Sequence, residues 1–126
     1  MNNRREGVAG EQAACEYLQK QGMKILERNY SCRSGEIDVI ALCGKTLVFV
    51  EVKARRNAEM GYALEAVTPQ KIDRIVRTAQ FYMLGKRCYE RMDVRFDVVC
   101  VDTTSGKIEH IPSAFTAADG GRRRHW

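Results

Sequence analysis

Three features point to an α/β fold built on one mixed central sheet with a helix on each face. Three strand-like runs follow one another with only short turns between them. A capped amphipathic segment separates the third run from a fourth. The 126-residue chain is also long enough to bury a core without disulfides or a structural metal. Strands joined by short turns are antiparallel, whereas a helical connection permits a parallel crossover.

Residues 4–22 read as the first helix, with Val8, Cys15 and Leu18 at helical spacing and Gly22 as the C-terminal stop. Residues 24–31 form the first strand and 36–43 the second. Cys43-Gly44-Lys45-Thr46 is a tight turn, and 46–54 form the third strand. The polar stretch 55–66, which contains Gly61, is a loop. Thr68 is a helix N-cap with Pro69 in the first helical position. That helix runs to about Arg87 on an apolar stripe of Ile72, Ile75, Val76, Ala79 and Met83. Residues 95–102 are a strongly apolar strand, Thr103-Thr104-Ser105-Gly106 a turn, and 107–112 a short last strand. The reading is a single domain over 1–116 followed by a basic, disordered tail over 117–126.

Composition narrows the function classes. Hydrophobic residues are 44% and charged residues 29%, the balance of an ordinary globule. No apolar run approaches the roughly 20 residues of a membrane helix. The polar start Met1-Asn2-Asn3-Arg4-Arg5-Glu6 lacks the apolar segment of a secretory signal. Five cysteines, an odd number with no CxxC spacing, indicate a reduced, cytoplasmic protein without a zinc site. The formal net charge is +5, part of it in Arg122, Arg123 and Arg124, a mild excess that nucleic acid would accept.

The chemistry concentrates in Gly35-Glu36-Ile37-Asp38-Val39-Ile40-Ala41 and Val48-Phe49-Val50-Glu51-Val52-Lys53-Ala54-Arg55. Carboxylates in apolar strands cost free energy unless something compensates them, and a divalent cation is the obvious compensation. Strand alternation puts Glu51 and Lys53 on one face with Leu47 and Phe49, and Glu36 and Asp38 on one face with Ile40 and Leu42. A turn at Gly44-Lys45 then sets Leu42 opposite Leu47, Ile40 opposite Phe49, Asp38 opposite Glu51 and Glu36 opposite Lys53. Helical phase points Glu11 between Val8, Cys15 and Leu18, toward the sheet.

Each residue also has a plainer reading. Glu36 and Lys53 make a cross-strand ion pair, Asp38 accepts hydrogen bonds from loop amides, and Glu11 pairs with Arg28 or Arg95. Lys71, Arg74, Arg77 and Thr78 form either a solvated helix face or a phosphate-contacting one. Asp97 beside Arg95 reads as an internal ion pair. Tyr62 and Tyr82 are base-stacking or core-edge residues, and His110 and His125 have no partner spacing.

Gly10-Glu11, Gly35-Glu36-Ile37-Asp38, Phe49-Val50-Glu51-Val52-Lys53 and Arg95-Phe96-Asp97-Val98-Val99 together resemble the YraN-like family of small bacterial proteins. That family is largely uncharacterised. It is similar in turn to archaeal Holliday-junction resolvases and the PD-(D/E)xK nuclease superfamily. The resemblance covers roughly residues 4–112. It implies a restriction-endonuclease-like αβββαβ core with a mixed sheet flanked by helices. It also implies Asp38 and Glu51 as metal-binding acids, Lys53 as catalytic lysine and Glu11 as helix-one acid. The proline of the superfamily motif is absent, since Glu36-Ile37 precede Asp38.

The expectation is a Mg²⁺- or Mn²⁺-dependent endonuclease acting on DNA, with branched DNA as the leading substrate by resemblance. Asp38, Glu51 and Glu11 hold the metal, Lys53 acts on water, and Arg55, Arg56, Lys71 and Arg74 grip phosphates. The alternative is a non-catalytic nucleic-acid-binding module that kept the fold and the acids. A homodimer would let two sites cut two strands, and the sequence leaves the oligomeric state open.

Overall fold

The computed structural model describes residues 3–56, 67–86 and 91–120. Helix α1 (Asn3–Lys20) leads through a glycine turn, where Gly22 takes φ +91, into strand β1 (Lys24–Cys32). Strands β2 (Gly35–Cys43) and β3 (Thr46–Arg55) follow, each separated from its predecessor by two residues. Helix α2 (Pro69–Gly85) precedes β4 (Asp93–Asp102) and β5 (Ile108–Phe115). The element order is the one the sequence predicts. Among the described residues, no helix is long and apolar enough to cross a membrane.

The five strands form one mixed sheet in chain order. β1–β2, β2–β3 and β4–β5 are antiparallel, and β3–β4 are parallel over ten pairs, as expected for strands joined through a helix. β3 and β4 therefore sit inside the sheet, and both carry the continuous apolar runs of strands covered on two sides. One layer packs α2 against Ile40, Leu47, Phe49, Phe96 and Val98. The other packs Ala14, Cys15 and Leu18 of α1 against Val39, Ala41, Val48, Val50 and Val99.

Three details depart from the sequence reading. Val8 is exposed, so α1 buries Gly10, Ala14, Cys15 and Leu18 instead. A Cβ on Gly10 would overlap that of Ala54, so at this point the helix backbone lies directly on the end of β3. Tyr82 is a core residue, 3% exposed and edge-on to Tyr30 and Phe49, and is not free to stack on a base. Tyr62 lies outside the described residues.

The last strand runs to Phe115 rather than stopping at residue 112. Pro112 offers no N–H to a ladder, but β5 is an edge strand, where a missing N–H is tolerated. A bulge there, with Ser113 at φ +51, lets Phe115 come back onto Phe96 with ring centroids 5.3 Å apart. Order continues into a 3-10 turn, Ala117–Asp119, whose following Gly120 lies against the backbone of Asp73 in α2. This turn lies within the stretch 117–126 that the sequence reading takes as a disordered tail. The basic run Arg122–Arg124 lies outside the described residues.

Candidate active site

The predicted turn holds. Cys43 pairs with Thr46, Leu42 with Leu47, Ile40 with Phe49, and the ladder ends at Val39 with Val50. One step further, where Asp38 and Glu51 should form the next rung, the strands part. Asp38 Oδ2 accepts the Val52 N–H at 2.7 Å, so a side-chain carboxylate takes the place of a backbone carbonyl. Across β1, the residue between the pairs Arg28–Val39 and Tyr30–Ile37 is Asn29, at φ +53. This kink breaks the simple alternation, and Ile37 joins Ile40 in the α2-side layer. Glu36, predicted opposite Lys53, pairs with Ser31 of β1 and is exposed.

The parted strands leave a cavity of about 200 Å³ walled by Gly35, Glu36, Asp38, Glu51, Lys71 and Arg74. Gly35 has φ +147, and a Cβ there would come 3.3 Å from Thr78 Oγ1. The β1–β2 turn thus rests on α2 through a contact that favours glycine. Thr78 is itself buried, with its hydroxyl donating to the Arg74 carbonyl, so it is not part of a solvated face. Lys71 reaches the cavity because α2 starts where the sequence says. The Thr68 side chain accepts from Lys71 N at 3.2 Å, and Pro69 opens the helix.

Glu51 is the most perturbed group. Its side chain is only 11% exposed and stands in hydrogen-bonding contact with Asp38. Burial, then the charge of Asp38 and the hydrogen bond to it, push its pKa up to about 8. Two ammonium groups oppose that shift. Lys71 Nζ lies 3.5 Å and Lys53 Nζ 4.0 Å from Glu51 Oε1. Burial and contact with Lys71 lower the pKa of Lys53. Burial also works against the Lys71 ammonium, but Lys53 and Glu51 outweigh it and raise its pKa.

Glu11 is half-buried on α1. Burial and then the charge of Asp38 raise its pKa, with Glu36 adding to the effect. Arg28 and a hydrogen bond from Asn29 oppose it. Glu11 therefore senses the acid pair, while also meeting the arginine its plainer reading named. Among the described residues, no three acids, histidines or cysteines gather into one ligand cluster. What does gather is a pair of carboxylates, Asp38 and Glu51, whose oxygens suit a hard divalent cation. Arg55 and Arg56 are exposed at the end of β3, and Arg74 is exposed at the cavity wall.

A profile described as Uncharacterised protein family UPF0102 matches residues 10–101. The chain belongs to that family. It is 48% identical over 117 residues to a UPF0102 protein of Lachnoclostridium phytofermentans, covering 93% of this chain and 98% of the relative. It is 48% identical over 120 residues to one of Syntrophus aciditrophicus, covering 94% of each. A Clostridioides difficile relative is 42% identical over 115 residues, covering 91% of this chain and its own full length. The YraN-like resemblance is thus to this UPF0102 family.

Sequence reasoning caught only part of one constellation. Asp97 is fully buried and accepts from Arg95 Nε at 2.8 Å, Arg95 NH2 at 2.9 Å and Ser113 N at 3.0 Å. The same carboxylate lies 2.7 Å from His110 Nε2, and His110 Nδ1 lies 3.1 Å from the Tyr17 hydroxyl. The Arg95 partnership was legible from the sequence. His110 was not, because nothing local links residues 97, 110 and 17.

Proposed function

We propose that this UPF0102 protein is a divalent-metal-dependent DNA endonuclease, with branched DNA as its preferred substrate class. One observation carries the reading. Two carboxylates meet at the point where the central ladder is interrupted, and two lysines converge on one of their oxygens. Such a group is a poor device for stability, since adjacent carboxylates repel and burial penalises Glu51. Its order of helix, three strands, helix and strand is that of the restriction-endonuclease-like core, which supports the same reading.

The donors fit the group. Mg²⁺ and Mn²⁺ bind through one or two carboxylates and keep several waters, so Asp38 and Glu51 suffice. A bound ion there supplies Lewis-acid activation of water and of the phosphate oxygen. Lys53, its pKa lowered by burial and by Lys71, orients the attacking water and takes its proton at Nζ. Lys71 and Arg74 hold phosphate oxygens at the cavity, Arg55 and Arg56 hold flanking phosphates, and Glu11 orients the acid pair from α1. As water adds to phosphorus, the bond to the departing sugar oxygen breaks, and that oxygen is protonated from solvent.

The test is incubation with plasmid and four-way-junction DNA in Mg²⁺ or Mn²⁺, beside an Asp38→Asn variant. Wild type should cleave, and Asp38→Asn should lose roughly 10³-fold or more, the scale of removing a metal-polarised transition state. Equal cleavage by both proteins would mean contamination and would end the proposal. DNA binding without any cleavage would favour the non-catalytic module.

A further inference from the structure

Two cations compete for one oxygen in this site. Lys53 sits two residues from Glu51 on the same strand, its side chain 20% exposed. Lys71 arrives from the first turn of α2, its backbone fixed by the Thr68 cap, on a flexible four-carbon stem. Its side chain is 35% exposed and borders the same cavity as Arg74 and Glu36. Lys71, the more exposed of the two, is therefore the partner with more room to move. With all four groups ionised, Asp38 and Glu51 are balanced by Lys53 and Lys71. A divalent ion at the same carboxylates leaves an excess of two positive charges, and its repulsion acts on the nearest movable ammonium. A phosphodiester entering the cavity, with one negative charge, would halve that excess.

We propose that Lys71 is a resident stand-in for the metal. It holds Glu51 in the free protein, is displaced from Oε1 when a divalent ion arrives, and turns to grip a phosphodiester beside Arg74. Cation and nucleic acid then bind cooperatively, each raising the affinity of the other by the same factor. This inference rests on the nuclease reading and adds to it an order of events at the site.

The experiment is calorimetric titration with Mn²⁺ of wild type, Lys71→Met, Lys71→Arg and Asp38→Asn, with folding checked by circular dichroism. Without DNA, Lys71→Met should bind Mn²⁺ about tenfold more tightly than wild type, and Lys71→Arg should match wild type. A phosphorothioate four-way junction, used to resist cleavage, should tighten Mn²⁺ on wild type by about tenfold and on Lys71→Met far less. Equal or weaker Mn²⁺ binding by Lys71→Met overturns the displacement and leaves the nuclease reading standing. Equal Mn²⁺ affinity for wild type and Asp38→Asn removes the metal site, and with it both readings.

Discussion

Asp97 and Glu51 stand on neighbouring parallel strands, both largely withdrawn from water, and their surroundings treat them in opposite ways. Both are pushed upward by burial. Around Asp97, His110, the Arg95 fork and the Ser113 amide overcome that push and hold the carboxyl below its ordinary range. Around Glu51, the neighbouring acid Asp38 adds to the push, and two lysines only moderate it. A buried acid with all its acceptor sites filled is a fastening. It ties β4 to the bulge of β5 and, through His110, to α1. A buried acid short of donors is an unfinished site, waiting for charge from outside.

The sharpest way to break this contrast is to exchange the expected outcomes. Asp97→Ala should cost about 3 kcal/mol in urea unfolding, because it strands Arg95 and the Ser113 amide, yet leave Mn²⁺ affinity unchanged. Loss of Mn²⁺ binding with little loss of stability would reverse the assignment of the two acids. Glu51→Gln should do the opposite and stabilise the metal-free protein by about 1–2 kcal/mol above neutral pH.

The pH dependence of that gain has a definite sign. A carboxyl raised from 4.5 to about 8 binds its proton more tightly when folded. Its contribution is present below about 4.5, is lost as pH rises toward 8, and is flat beyond. The difference between Glu51→Gln and wild type should grow through that window. Asp97 works the other way, since its stabilisation is present above 3.8 and lost as the pH falls through its lowered value. Chemical unfolding of wild type and each variant across pH would separate the two. The smallest effect is Tyr17→Phe, about 1 kcal/mol, the weight of one hydrogen bond to His110. A much larger loss would show that the relay from α1 to Asp97 is cooperative.

The register at Gly44-Lys45 was readable because hairpin length and side-chain alternation fix pairing together. So was the start of α2, since the Thr68-Pro69 pair is a local signal. Alternation brought Asp38 to Glu51 but failed beyond it, at Ile37 and Glu36. A single left-handed residue, Asn29, lies on the partner strand, and period-two reading of β2 alone cannot see it. The extent of β5 was misjudged for a related reason, because the tolerance of Pro112 depends on which strands end at the sheet edge. Glu11 fell between its two readings. The close approach of Gly10 to Ala54 sets α1 on the sheet, while Arg28 and Asn29 share the acid with the site.

The interrupted ladder has a mechanical side as well. Past Val39, the seam between the second and third strands has no further rungs, and the Asp38 carboxylate bridges it to the Val52 amide. The neighbouring parallel seam runs ten pairs without a break. The sheet is therefore laddered to its end on one side of β3 and only part-way on the other. The hydrogen bond that closes the unladdered side is made by a ligand of the proposed chemistry. Whatever recruits Asp38 also sets how far that seam can open.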